Sequence, residues 1–293
     1  MVPPPTLTQN IGRLAIGSLF RLAPPLGARL AWSHFVKSPK PVNSDASDEH
    51  FLQSHARQET LQSAGHRVRV YHLESPSEIR MRVLMMHGWG SRATALLGIG
   101  KQFMRAGADV VLYDGPGSGL TEAPMAILPH GWQVLEDLQR TAGPFDVVVG
   151  HSFGGLTAAP VLAAGKLPTC KVFVTVGSPN SLETMTERVL RDRGMPGSVM
   201  SYFDKRSLEL SGKPMSELSI VAAMCNMSES PLRYLCVHDY EDKEVSVTHA
   251  DEIERALPWV QVERTSGLGH NRILRDLALQ ERIREFADEV LYS

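Results

Sequence analysis

A serine lies in a glycine-rich run at residues 150–155, with the letters GHSFGG. The apolar segment Val147–Val149 before it is typical of a buried strand, and Leu156–Ala164 after it is compatible with a helix. A serine on such a sharp turn from strand to helix has strained backbone angles, and glycines two residues before and after it relieve the crowding. The turn would lift the hydroxyl of Ser152 off the sheet edge. The pattern therefore predicts a nucleophile at Ser152.

A serine hydroxyl is a poor nucleophile unless a base takes its proton and an acid orients that base. His270 is the candidate base, because it lies in a glycine-rich loop (GLGHN, residues 267–271) after the last predicted strand. Asp242 is the candidate acid, in a polar turn after another strand. Asp239 is the alternative acid, although its position nearer the strand end predicts that backbone groups hold it. The order Ser, Asp, His along the chain is the one expected for this kind of site.

Acyl transfer also needs hydrogen-bond donors for the oxyanion that forms in the transition state. The backbone N–H of Phe153, directly after the candidate nucleophile and at the start of a helix, is one candidate. The N–H of Trp89 is the second, because the letters HGWG at residues 87–90 follow a predicted strand. Neighbouring glycines would let this N–H turn inward.

Strands alternate with helices over most of the chain, which predicts an α/β fold with a mostly parallel, doubly wound sheet. Ligands bind beyond the carboxyl ends of the strands in such sheets, and all of the candidate residues follow strand ends. The first two strands are predicted to be adjacent, with residues 74–79 as the turn between them. The predicted strands are Arg67–Leu73, Arg80–Met86, Asp109–Tyr113, Phe145–Val149, Lys171–Val176, Leu232–Val237 and Val260–Arg264. The predicted helices after Arg80–Met86 are Ala93–Ala106, Trp132–Ala142, Leu182–Arg193, Met215–Cys225, Val247–Leu257 and Ile273–Val290, besides the one after Ser152.

The pattern predicts two parts, an N-terminal segment with a linker at 1–48 and a main domain at 49–293. A small helical insertion at about 179–230 would form a cap over the strand ends. The apolar stretches Ile11–Phe20 and Leu26–Val36 are interrupted by arginines, which argues against a secretory signal. They are expected to form short amphipathic helices packed on the domain or on a second copy of the chain. The alternative is an anchor at a membrane surface.

The composition is that of an ordinary globular protein. Of 293 residues, 43% are hydrophobic, and the net charge is −2. Without a basic stripe, the sequence indicates no nucleic-acid partner. Three scattered cysteines suit a reducing compartment better than a disulfide framework, so a cytoplasmic location is expected, with membrane association as an alternative.

Taken together, these motifs resemble those of the α/β-hydrolase superfamily from about residue 67 to the carboxyl terminus. The resemblance rests on HGWG at 87–90, DGPGSG at 114–119, GHSFGG at 150–155, the Asp242 turn and GLGH at 267–270. It implies that Ser152 attacks an acyl carbon, that His270 moves the proton and that Asp242 orients His270. It also implies that the insertion shapes the acyl pocket. Ser118 departs from the histidine that many relatives have in the second motif, at a position that is usually structural.

The first functional hypothesis is a carboxylic-ester hydrolase that acts without a cofactor on a small or medium apolar ester. A thioesterase or a lipase working at a lipid interface is the alternative within the enzyme class. Epoxide hydrolysis and dehalogenation are disfavoured, because on this fold they use an aspartate at the position of Ser152. A small-molecule binding protein with little turnover is the alternative of another class, since a fold does not fix a function.

Overall fold

A computed structural model describes residues 23–38, 45–227 and 229–293. Their strands are β1 Arg57–Ser63, β2 His66–Leu73, β3 Met81–Met86, β4 Ala108–Asp114, β5 Val147–His151, β6 Val172–Val176, β7 Arg233–Asp239 and β8 Gln261–Thr265. The strands form one eight-stranded sheet in the order β1-β2-β4-β3-β5-β6-β7-β8. The first two strands pair antiparallel with each other, and β2 pairs antiparallel with β4, whereas all remaining pairs are parallel. The predicted fold class is therefore confirmed.

Helices connect the strands and cover both faces of the sheet. The α-helices are α1 Pro24–Val36, α2 Ala46–His55, α3 Leu97–Arg105, α4 Leu128–Thr141, α5 Phe153–Ala163, α6 Leu182–Asp192, α7 Val199–Ser211, α8 Ile220–Met224, α9 Thr248–Ala256, α10 Gly269–Arg272 and α11 Leu277–Tyr292. Short 3₁₀ turns occur at Ala93–Leu96, Met215–Glu217 and Ile273–Arg275. Helices α6, α7 and α8, with the second of these turns, lie between β6 and β7, in the segment that the sequence assigns to the cap; we call them the lid.

Two hydrophobic cores lie on opposite faces of the sheet, because successive side chains of a strand point to opposite sides. In β5, Val147 and Val149 belong to one core and Val148 to the other, and all three are fully buried. Near-continuous apolar strands of this kind are typical of parallel sheets covered on both faces. The polar residues at the ends of these strands are therefore fixed to a rigid, doubly buried layer.

The prediction that the first two strands are adjacent is wrong, because β4 lies between β2 and β3. The connection between β2 and β3 crosses the amino-terminal end of β4, a distance of about 10 Å across two strand spacings. It is attached to the start of β4 by two hydrogen bonds, from Ser75 N to Asp109 Oδ1 (3.0 Å) and from Arg80 N to the carbonyl of Gly107 (2.9 Å). This path leaves β3 in the centre, with parallel partners on both sides.

Four of the elements in the described residues were not predicted from the sequence: β1, α2, α7 and the short helix α10, which begins at Gly269 and carries His270 within the predicted glycine-rich loop. The strand β1 has the letters RQETLQS, in which a single apolar residue gives no alternating signal. It nevertheless forms a hairpin with β2 through Ala64 and Gly65, which both have positive φ (50° and 76°), as a tight two-residue hairpin turn requires. Helix α2 is capped by Asp45 and spans the predicted boundary at residue 48, so the end of the predicted linker is helical.

The N-terminal helix expected over Leu26–Val36 is present as α1, whereas the expected helix over Ile11–Phe20 lies outside the described residues. Helix α1 packs on the lid, where its Ala31 shares a hydrophobic cluster with Leu190, Val199 and Phe203. In the described part of the chain, every helix is too short or too polar to cross a membrane.

Asp114, at the carboxyl end of β4, fixes the loops on both sides of it. The side chain is 2% exposed and accepts hydrogen bonds from the backbone N–H groups of Ala93 and Leu120 (both 2.8 Å) and from the Tyr71 hydroxyl (3.2 Å). A Cβ at Gly119, where φ is +53°, would collide with this carboxylate. The motif at 114–119 is thus a structural turn around one buried carboxylate.

We predict that Asp114→Ala lowers the free energy of unfolding by about 3 kcal/mol, because it leaves two buried donors and one partly buried donor without an acceptor. Urea unfolding followed by circular dichroism measures the change. Glu122→Ala, at an exposed position of the same loop, is the matched control, and its free energy of unfolding should stay close to that of the wild type. An equal decrease in the free energy of unfolding in the two variants would contradict the role given to Asp114.

Candidate active site

Ser152 occupies a one-residue turn between β5 and α5. Its backbone angles are φ 52° and ψ −123°, a strained conformation for a residue with a side chain. A Cβ at Gly150 would lie 2.5 Å from the backbone nitrogen of Gly155, and one at Gly154 would collide with the carbonyl of Met86. Glycine is therefore required on both sides of Ser152 by direct backbone contact.

The backbone around Ser152 is fixed in place on the sheet. Its N–H donates to the carbonyl of Val176 on β6 (2.9 Å). Helix α5 begins at Phe153, whose N–H belongs to the first helical turn and so has no intrahelical acceptor. Such a donor, at the positive end of the helix dipole, is suited to stabilise a negative charge beside Ser152.

Asp242 and His270 form a buried pair. His270 Nδ1 donates to Asp242 Oδ2 at 2.7 Å, and both residues are 8% exposed. The other carboxylate oxygen, Oδ1, accepts from the backbone N–H groups of Glu244 and Val245, at 2.8 Å each. Burial alone would raise the pKa of Asp242, but these hydrogen bonds hold the pKa below its usual value. Asp242 is therefore ionised, and because Nδ1 of His270 donates to it, Nε2 is the ring nitrogen that can accept a proton.

Asp239 is fully buried and has a different set of partners. Its Oδ1 accepts from the N–H groups of Glu241 (3.0 Å) and Gly269 (2.9 Å), and its Oδ2 from the Thr265 hydroxyl (2.7 Å) and the N–H of Leu268 (3.0 Å). Burial would raise the pKa of Asp239, whereas these four bonds lower it. Backbone groups thus hold Asp239 as the sequence predicted, and it fixes the loop that carries His270.

Two further buried histidines support this pair. His151 Nε2 donates to the backbone carbonyl of His270 (3.0 Å), and the two rings lie 4.7 Å apart. Burial, followed by the nearby His270, lowers the pKa of His151 to about 3, so this residue stays neutral. His238 Nε2 donates to the carbonyl of Val245 (3.0 Å) and lies 3.6 Å from Asp242 Oδ2. His151 therefore connects the turn at Ser152 to the loop of His270, and His238 braces the turn of Asp242.

His87 fixes the loop that carries Trp89. Its Nδ1 donates to the carbonyl of Gly88 (2.7 Å), and its Nε2 accepts from the N–H of Gly115 (2.9 Å). Burial lowers the pKa of His87, in keeping with this neutral tautomer. Because C=O and N–H point in opposite directions across a trans peptide, the N–H of Trp89 points away from His87.

A cavity of about 550 Å³ opens between the carboxyl ends of the strands and the lid. Four of the predicted site residues line it together: Ser152, Phe153, Trp89 and His270. Asp242 lies behind His270. His270 Nε2 is 3.9 Å from Glu244 Oε2, and among the described residues no hydrogen bond joins it to the Ser152 hydroxyl. Contacts of this kind commonly tighten only when substrate binds.

The sequence did not predict that α1 contributes to this site. Trp32, Phe35 and Val36 line the cavity, together with residues 126–129 before and within α4. Glu244 was not singled out either, although it lines the cavity and binds the Asn271 amide (2.8 Å). The interrupted apolar pattern of Leu26–Val36 predicts a packed helix, but a single sequence carries no signal for the surface on which that helix packs.

The pKa of Asp239 leads to a prediction about stability. A carboxyl whose pKa is lowered by folding stabilises the fold above its unfolded-state pKa, and this contribution is lost as the pH falls through the folded-state value. We expect Asp239→Asn to lower the free energy of unfolding by about 2 kcal/mol at pH 7. The difference from the wild type should begin to shrink as the pH falls below about 4, where the carboxyl becomes protonated in the unfolded chain, and it should be lost once the pH falls through the lower pKa of the folded state.

Urea unfolding at pH 7 and pH 3.5 measures this difference. Glu281→Gln, which removes an exposed carboxylate on α11, is the control and should have little effect at either pH. The prediction would be contradicted if Asp239→Asn lowered the free energy of unfolding by the same amount at both pH values.

Comparison with known proteins places the chain in a family. A model of the Alpha/beta hydrolase family matches residues 83–288. An esterase from Pyrococcus furiosus superposes with a TM-score of 0.63 at 16% identity, covering 87% of this chain and 98% of its own. A serine hydrolase from Cycloclasticus zankles has a TM-score of 0.60 at 15% identity, covering 81% of this chain and 100% of its own.

An esterase from Exiguobacterium antarcticum is similar in the same way, with a TM-score of 0.57 at 16% identity, covering 81% of this chain and 100% of its own. No curated protein matches the sequence. The family model alone covers well over half of the chain, and the folds of the solved structures agree with it. The chain therefore belongs to the alpha/beta hydrolase family.

Proposed function

We propose that the protein is a serine hydrolase that cleaves a carboxylic ester through an acyl-enzyme intermediate. The observation that carries the proposal is the buried pair of Asp242 and His270, which are joined by a hydrogen bond of 2.7 Å. His270 lines a cavity that is also lined by Ser152, whose backbone is strained. The names of the similar structures, two esterases and a serine hydrolase, agree with this choice.

In the first half of the reaction, the Ser152 oxygen attacks the ester carbonyl carbon while His270 Nε2 takes the hydroxyl proton. Asp242 stabilises the resulting imidazolium without becoming protonated. The oxyanion accepts hydrogen bonds from the N–H groups of Phe153 and Trp89. The carbon–oxygen bond to the alcohol then breaks, and the alcohol leaves with the proton from His270.

The second half repeats these steps with water as the nucleophile. His270 takes a proton from the water, the hydroxide adds to the acyl carbon and the same donors bind the oxyanion. Collapse of this intermediate releases the carboxylic acid and returns the proton to Ser152. This chemistry uses the side chains of Ser152, His270 and Asp242 and two backbone donors.

We predict that the wild type hydrolyses p-nitrophenyl esters and that Ser152→Ala and His270→Ala lower kcat/KM by about 10⁴-fold or more. Asp242→Asn should lower it by about 10³- to 10⁴-fold, because the imidazole then loses its orientation and tautomer. The measurement is steady-state hydrolysis, combined with labelling of Ser152 by a fluorophosphonate probe.

Asp239→Asn is the matched control, since it makes the same chemical change at the neighbouring carboxylate. It should lose far less activity per folded molecule than Asp242→Asn. The reverse order would assign the acid to Asp239. Equal turnover by the wild type and Ser152→Ala would refute the mechanism, and a wild type that neither reacts with the probe nor hydrolyses esters would favour the binding-protein alternative.

A further inference from the structure

Helix α1 packs against helix α7 of the lid. The Trp32 ring meets the Phe203 ring of α7 edge-on at 5.0 Å, and the Phe35 ring lies 5.2 Å from the same ring. Phe203 is fully buried, and Ala31 on α1 is 5% exposed. Trp32 and Phe35 are half-buried, and because aromatic pairs of this geometry are stabilising beyond their buried area, α1 and α7 form one packed unit.

The carboxyl end of α1 is fixed to the segment that leads into α4. The carbonyl of Val36 accepts from the N–H of Ala126 (3.0 Å), and the Ser38 hydroxyl donates to the carbonyl of Ala123 (2.5 Å). Ser38 also fills the space beside Gly117, where φ is +78° and a Cβ would lie 2.9 Å from that of Ser38. The end of the helix thus has a fitted place on the main domain.

Between these two attachments, α1 forms a wall of the cavity beside Ser152. Trp32, Phe35 and Val36 contribute to the wall, and the lid and α4 contribute further apolar residues. Among the described lining residues, the only side chains with a full charge at neutral pH are those of Arg193 and Glu244, and both residues are exposed. The interior of the cavity therefore offers an apolar chain many contacts and few polar groups to desolvate.

We propose that α1 is a specificity-determining part of the site, and that the substrate is an ester with an apolar acyl chain of medium length lying against Trp32 and Phe35. This inference rests on the proposed function, because the chain must belong to an ester that reaches Ser152. The volume of about 550 Å³ lies within the usual range of small-molecule pockets, about 300–1,000 Å³. The N-terminal segment, which the sequence set apart from the main domain, thus supplies substrate-binding residues.

The test is a series of p-nitrophenyl esters: acetate, butyrate, octanoate and dodecanoate. In the wild type, kcat/KM should rise from acetate to octanoate by up to about fourfold per added methylene, which corresponds to about 0.8 kcal/mol. Trp32→Ala and Phe35→Ala should each lower the ratio of kcat/KM for octanoate to that for butyrate by about tenfold, because the acyl chain then loses an aromatic side chain against which it packs.

Leu30→Ala is the matched control. Leu30 lies on the same helix but is 51% exposed and does not line the cavity, so this variant should keep the wild-type ratio. Circular dichroism and fluorophosphonate labelling of Ser152 verify that each variant is folded with a reactive site. Trp32→Leu and Phe35→Leu replace any alanine variant that fails to fold.

The outcomes separate the two proposals. A wild type that hydrolyses esters and labels at Ser152, but shows no preference for octanoate over butyrate, would overturn the inference alone. An unchanged ratio in the Trp32 and Phe35 variants would do the same. Absence of both ester hydrolysis and labelling in the wild type would overturn the proposed function, and the inference with it.

Discussion

Direct contact between backbones at the turn of Ser152 is the constraint on which the site depends. Gly150 meets Gly155, and Gly154 meets the carbonyl of Met86 at the end of β3, at distances that leave no room for a Cβ. These contacts hold a serine in a conformation that an isolated chain would avoid, and the surrounding sheet supplies the energy that stabilises it. The orientation of the hydroxyl and that of the first N–H of α5 therefore follow from the same packing.

The other half of the site is fixed by hydrogen bonds rather than by close packing. Two aspartates three residues apart have separate functions: Asp239 uses both of its oxygens on the loop of His270, while Asp242 binds the imidazole itself. His151 and His238 stay neutral because they are buried, and each donates to a backbone carbonyl beside this pair. Neutral, buried donors can position a charged pair without adding a competing charge.

The features that could be predicted from the sequence are those whose causes are local. A strand, a glycine-flanked serine and a helix are contiguous, so the turn at Ser152 and the general fold could be predicted from the pattern of residues. The polar turn of Asp242 and the glycine-rich loop of His270 are local in the same way. The order of the strands could not be predicted, because residues 74–80 can join neighbouring strands or cross one, and the side-chain pattern is the same in both cases. The wall formed by α1 could not be predicted either, because Trp32 and Phe203 are far apart in the chain and meet only in the folded protein.

The attachment of α1 at both ends of its contact surface has a consequence for motion. Its aromatic residues pack on α7, while Val36 and Ser38 are hydrogen-bonded to residues 123–126 of the main domain. A lid joined to the sheet only through β6 and β7 could swing as an independent flap. In this protein, an outward swing of α7 must either carry α1 along and break the bonds at Ser38, or separate the rings of Trp32 and Phe203. Any movement of α7 away from the cavity is therefore mechanically coupled to a segment that precedes the whole sheet in the chain.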